Sequence, residues 1–337
     1  MKYLKAGIFY VKNPAGLDPA APGRVQERLV EARLINNDTA IDAVFSLGPI
    51  TGEKGHPWLI AIRNFKIGAF TEKEAEDDFY YFVTSAEMLN KKWPVILQKK
   101  PDFIKTVLLF SEEYEKRKND TTYIGYRGLD PKLLPMVVKK AHKAGLRVSV
   151  HIETSSDFHN AVLTGVDEIC HTPGFRLDPM LGDSRKKESY EGRTDIFMIN
   201  STDAKLAAKK KIFVVTTLGG TLKAIGPVRK LCDSLYIHNL TMLKNAGVKI
   251  ALGSDAYRSN SWDEIEYLLT INVFTKTELL NMFCTTTAQT IFPKRKIGYL
   301  KSGFESNFLV FDFNPLQDIM KMKEVKFAMK GRALMIF

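Results

Sequence analysis

The sequence predicts a (β/α)8 barrel of the TIM-barrel type that lacks its first strand and is followed by a small C-terminal β module. Short apolar runs alternate with helix-like stretches along most of the chain, the pattern of βα units around a parallel sheet. Three of these runs stop abruptly at a polar residue, His151, His171 or Asp255, at the strand end where barrels of this type build their sites. The 337 residues, 45% hydrophobic and 26% charged, suffice for one large barrel and an appendage.

Seven strand-like runs stand at residues 7–11, 43–47, 103–109, 147–152, 166–171, 212–216 and 248–253. Seven is one short of closure, and residues 2–6 read as the remnant of a helix that followed an absent strand. Between the runs, residues 131–144 carry Leu133, Leu134, Val137, Val138 and Ala141 at helical spacing, with Gly145 as C-cap. Residues 202–208 form a second helix with Ser201 as its cap, and 276–289 a third. Residues 54–102 exceed an ordinary connection, and their acidic, aromatic stretch 72–81 reads as a helical insertion. A turn and β runs at 298–312, 325–329 and 333–337 complete the chain, dividing it into a barrel over 1–297 and a β module over 298–337.

A formal charge of +11 would admit nucleic acid, an anionic membrane or an acidic substrate. Its lysines, however, fall in short runs on helix-like stretches or just ahead of strands, as on a solvated barrel exterior, with no interleaved aromatics to stack bases. Neither a nucleic-acid nor a membrane partner is therefore expected; a homo-oligomer is left open. Cys170, Cys232 and Cys284 show no CxxC spacing and read as buried free thiols. No signal peptide or bilayer-length span is evident, so the chain reads as soluble, in a compartment the sequence does not specify.

Alternation places Ser149 and His151 on one strand face and Val148 and Val150 on the other. Lys249, Ala251, Gly253 and Asp255 likewise share a face, with Ile250 and Leu252 opposite. One strand-end histidine is usually a hydrogen-bonded structural residue. Two histidines and an aspartate from three strands instead suggest a divalent-metal or catalytic site, since imidazole and carboxylate both suit zinc.

Residues 148–174, with Val-Ser-Val-His-Ile-Glu and Asp-Glu-Ile-Cys-His-Thr-Pro-Gly, together with Asn-Ala-Gly-Val-Lys-Ile-Ala-Leu-Gly-Ser-Asp over 245–255, resemble strands of the amidohydrolase superfamily. The likeness is greatest to its imidazolonepropionase-like and prolidase-related branch. Residues 4–11 resemble that family's second strand, and 287–303 its return to a β-sandwich. The resemblance implies a metal-dependent hydrolase of carbon–nitrogen bonds in a small amide, cyclic amide or dipeptide. His151 and His171 would be ligands of a divalent metal, zinc by preference, and Asp255 both ligand and proton shuttle. Lys105 would be the fourth-strand lysine that is carbamylated, the alternative being a lysine whose head reaches water.

The family's first strand ends in His-x-His, a pair that none of the six histidines here forms, so the second metal's site is expected to be incomplete. The alternative function is therefore an inactive remnant or a binding scaffold of the same fold. His56, Arg127 and Arg258 are candidate substrate contacts, the arginines as carboxylate clamps; solvation and surface ion pairing are their ordinary alternatives. His142 and His159 read as surface residues, and His238 has no evident partner.

Overall fold

Which face of each strand is apolar decides the layering. The computed structural model describes residues 2–14, 37–61, 71–174, 193–255 and 260–337; Arg258 lies outside them. Val148 and Val150 are fully buried in the core between sheet and helices, together with Val137, Phe158, Ala161 and Val162. Ser149 turns to the other side, where it bonds Glu168 of the next strand. The expected alternation thus sorts helix-facing from barrel-facing side chains.

Nine parallel-sheet strands form the frame: β1 (Tyr10–Asn13), β2 (Asp42–Phe45), β3 (Pro49–Thr51), β4 (Tyr81–Phe82), β5 (Ile104–Val107), β6 (Val148–His151), β7 (Glu168–Cys170), β8 (Phe213–Thr216) and β9 (Lys249–Leu252). Seven of them make one sheet in the order β4-β3-β5-β6-β7-β8-β9, while β1 pairs in parallel with β2. Three more, β10 (Phe308–Val310), β11 (Phe327–Lys330) and β12 (Ala333–Ile336), form a small antiparallel sheet. The fold is TIM-barrel-like α/β with that sheet attached. Among the described residues no strand pairs with β9 on the side away from β8, nor with β1 on the side away from β2.

Several details depart from the sequence reading. The first strand starts at Tyr10, not Gly7, because the helix Lys2–Lys5 ends in a turn closed by the Gly7 amide on Leu4 and the Ile8 amide on Tyr3. The second run, 43–47, ends as a strand at Phe45, and a further strand follows it that the sequence reading lacked. The chain leaves the pleat at Leu47 (φ 59°) and Gly48 (φ 114°), a backbone that glycine tolerates, and resumes as β3. The acidic insertion is only partly helical: after Glu72–Ala75, residues Tyr81–Phe82 join the sheet edge as β4, ahead of the Ser85-capped helix Ala86–Gln98. Asn200, not Ser201, caps Ser201–Lys209 by accepting from the Asp203 amide. The predicted helix 276–289 is interrupted by a π turn at Met282–Thr286. Cys284, within that turn, is exposed, contrary to expectation, whereas Cys170 and Cys232 are buried as expected.

The helix Leu134–Lys143 buries Leu134, Val137, Val138 and Ala141 at i, i+3, i+4 and i+7 against the sheet. The small sheet is tied to the barrel by apolar contacts of Leu4 and Phe9 with Val325 and Ala328. It is also tied by a buried charge cluster: Asp42 meets Lys330 at 2.9 Å and Arg295 at 2.7 Å, and Arg295 also holds Glu305. No helix among the described residues is long and apolar enough to cross a membrane.

Asp42 is fully buried and Lys330 is 2% exposed. Asp42→Asn strands a buried ammonium beside a neutral partner and is expected to lower unfolding free energy in urea by about 3–5 kcal/mol. A loss below about 1 kcal/mol would show that the cluster does not hold the two sheets together.

Candidate functional site

The register of β6 with β7 sets His151 opposite Cys170 and Ser149 opposite Glu168. Two layers of barrel-facing side chains follow. In the lower one, Glu168 accepts from Lys12 (2.7 Å) and Ser149 (2.7 Å) and from the Thr290 hydroxyl, while Lys12 also donates to Ser149 (2.8 Å). Burial by itself would raise the Glu168 carboxyl, but the Lys12 ammonium and the two hydroxyls hold it down at about 2. This pair neutralises the barrel floor.

The upper layer carries the histidines. His151 ends β6 and is 4% exposed. His171 stands one residue past β7 in a left-handed conformation (φ 82°) and packs its ring edge-on against His151, centroids 4.7 Å apart. His171 Nδ1 meets the Thr217 hydroxyl at 2.5 Å, so any ligation by this ring runs through Nε2. His56 stacks on the other face of the cluster, 4.5 Å from His151 and tilted by 28°, its amide fixed by the Arg127 carbonyl.

Lys105 lies on β5 in register with Ser149, is 6% exposed, and is close enough for its charge to act on the Cys170 thiol. Little of this side chain reaches water. Burial raises the Cys170 thiol above its ordinary range. Asp255 lies exposed at the lip of a cavity of about 250 Å³ that His171, Thr217, Glu168 and Lys12 also line.

The strict alternation expected for β9 fails at its end. Leu252, Gly253, Ser254 and Asp255 all line this cavity, and Lys249 is exposed. The ladder stops at Leu252, whose amide is taken by the Thr287 hydroxyl, and the backbone then turns through a positive φ of 47° at Asp255.

Arg127 is turned to the backbone, and among the described residues no carboxylate forms an ion pair with it. It is 8% exposed, and its guanidinium donates to the carbonyls of Glu53, Arg117 and Lys118, which fixes the loop bearing His56. The Arg258 expectation falls outside the described residues. His142 and His159 are half-exposed and pair with Asp167 and Asp203, as surface residues do; His238 reaches the Ile199 carbonyl.

Three positioning residues escaped the sequence reading. Asp157 accepts from the amides of Phe110, Ser111, Glu153 and Thr154, pinning the loops after β5 and β6. Its signal was the Thr154-x-x-Asp157 capping box. Asn239 holds the chain beyond His171 by accepting from the Ile199 amide and donating to the carbonyls of Pro173 and Phe197. Glu264 accepts from the amides of Leu218 and Gly219, just past Thr217. Burial is the main cause that pushes its carboxyl up to about 7, with Asp255 adding to the shift.

A divalent ion suits this donor chemistry: two adjacent imidazoles, a lysine able to carry a carbamate, and a carboxylate on the same cavity. Among the described residues, however, no three of His, Cys, Asp and Glu are gathered closely enough to hold one.

The chain matches the family model described as "Amidohydrolase family" over residues 121–332. Among solved structures it is similar to A. niger ochratoxinase, with TM-score 0.69, 16% identity, and 99% of this chain and 73% of that one covered. It is also similar to a Xaa-Pro dipeptidase with bound methionine in the active site, with TM-score 0.68, 17% identity, and coverage of 100% and 77%. A third likeness is to molinate hydrolase, with TM-score 0.67, 13% identity, and coverage of 99% and 73%. No curated protein matches the chain in sequence. At these identities the structural likeness concerns the fold.

An acid raised from 4.5 to about 7 keeps in the fold a proton that the unfolded chain has released. Stability from Glu264 is therefore full below pH about 4.5 and declines as pH rises to about 7, by about 3 kcal/mol. Glu264→Gln, whose carbonyl can keep both amides, is expected to remove that decline in urea unfolding at pH 5 and pH 8. An unchanged difference between the two pH values would contradict the assignment.

Proposed function

The chain belongs to the amidohydrolase family, a family of hydrolases, and from that premise we propose that it cleaves the carbon–nitrogen bond of a small amide, cyclic amide or dipeptide at the cavity of His171 and Asp255. What carries the reading is the convergence of three strand ends: His171 and Asp255 line one cavity, and His151 rests against His171. The named activities of the similar structures, dipeptidase and hydrolase, agree with it.

In the reaction, a water oxygen adds to the carbonyl carbon and the carbon–nitrogen bond breaks. Asp255 takes a proton from the water and delivers it to the departing nitrogen, so that acid and amine leave. The Thr217 hydroxyl fixes the ring of His171 and the stack on His56 orients His151. His56, half-buried beside the histidine pair, is the candidate substrate contact. Lys105 bears the carbamate in this proposal, which requires its amine to be neutral when modified.

The family generally uses divalent metals. Here His151, His171 and carbamylated Lys105 would hold one, zinc by preference, and when bound it supplies a polarised carbonyl and a more acidic water.

Asp255→Asn is expected to lower kcat on Xaa-Pro dipeptides or N-acyl amino acids by about 10²–10⁴-fold while bound zinc is unchanged. Unaltered turnover would exclude Asp255 as the proton carrier. The second reading is a binding scaffold without chemistry. It is favoured by the absence, among the described residues, of three gathered His, Cys, Asp or Glu donors. Elemental analysis after zinc loading separates the two: close to one ion per chain, lost in His151→Ala, supports the hydrolase, whereas no retained ion supports the scaffold.

A further inference from the structure

Charge is unevenly divided over the outside of the barrel. The helices Leu134–Lys143, Ser155–Thr164 and Ser201–Lys209 lie side by side and link β5 to β8 in turn, strands that each pair on both flanks. On and just beyond them Lys139, Lys143, Lys205, Lys209 and Lys211 are exposed, and among the described residues no carboxylate pairs with any of these five. Every acid within residues 134–166 and 198–212 is buried: Glu153 is 6%, Asp157 0% and Asp203 4% exposed. Asp157 holds backbone amides, and Asp203 holds Asn200 and His159. At the border Asp167 is taken up by His142 and Arg147.

We propose that this face docks on an anionic bilayer surface, whose headgroups supply the negative charge that the three helices withhold. The proposal is independent of the hydrolase reading. A solvated exterior ordinarily intersperses both signs, and the sequence alone suggests one here because it does not show that the intervening acids turn inward. Cations in the last turn of a helix offset its dipole, as Lys210 does by donating to the carbonyls of Val162 and Leu163. Lys139 and Lys205 stand before the last turns of their helices, so the dipole does not account for them.

Lipid headgroups and nucleic acids share phosphate chemistry, and two observations favour the lipid. The aromatic ring within these residues, Phe158, is fully buried, so a base has nothing to stack on. Leu163, by contrast, is 52% exposed among the lysines, its carbonyl bonded by Lys210, and an apolar side chain beside ammonium groups suits the boundary between headgroups and acyl chains. Each lysine near an anionic surface strengthens binding by about fivefold.

Co-sedimentation of the full chain with phosphatidylcholine vesicles, with and without phosphatidylserine, tests this. Binding is expected only where phosphatidylserine is present, and it is expected to fade as added salt shortens the reach of each charge. Joint replacement by Lys143→Gln, Lys209→Gln and Lys211→Gln is expected to weaken it by about 100-fold. Joint replacement by Lys294→Gln, Lys296→Gln and Lys301→Gln removes as much charge from exposed lysines elsewhere and is expected to cost less than about fivefold. Equal losses in the two triple variants would show that net charge rather than this face is responsible, and absence of binding to phosphatidylserine vesicles at low salt would remove the partner. Duplex DNA that displaces the vesicles, and whose own binding is lost in the first triple variant, would assign the face to a nucleic acid. Any of these three results overturns the proposal.

Discussion

Backbone amides and carbonyls at the barrel mouth leave the sheet ladder where the strands end, and every one that is buried must find another partner. Four buried side chains meet much of this demand. Asp157 gathers amides from the loops after β5 and β6, Asn239 those beyond β7, Glu264 those beyond β8, and Arg127 the carbonyls around His56. Each is nearly or fully buried, so each bond operates where water cannot replace it. Positions of His56, His151 and His171 follow from loops fixed in this way.

Electrostatics divides the interior into two layers. On the floor, Lys12 and Glu168 cancel each other, and Ser149 and Thr290 satisfy the remaining lone pairs of the carboxylate. One layer up, rings and a thiol face one another with Asp255 at the lip. Both layers reach the same cavity, the floor through Lys12 and Glu168 and the layer above through Cys170 and His171. Glu264 is a buried acid within electrostatic reach of Asp255, and burial keeps it protonated further towards neutrality.

How much of this could be read from the sequence depends on whether the cause was local. Strand faces, the helix Leu134–Lys143 and the strand-end histidines were legible, because alternation and helical spacing are properties of a few consecutive residues. The break at Leu47 and Gly48 and the pairing of Tyr81–Phe82 were not, since each answers to a neighbour far along the chain. Arg127 shows the same limit. A loop arginine near a mouth suggests a clamp, and only the fold reveals three carbonyls around it. The nearness of His56 to His151, 95 residues apart in the sequence, likewise had no local signal beyond a histidine in a loop.

The account stands or falls on whether His151 and His171 serve one shared ligand. Diffraction at the zinc absorption edge, from crystals grown with zinc and bicarbonate, tests this most directly. The account predicts a single strong anomalous peak at about 2.0–2.1 Å from a nitrogen of each ring, with extra density continuing from the amine of Lys105. A peak held by other side chains, or a histidine pair left without zinc while zinc binds elsewhere, would contradict it.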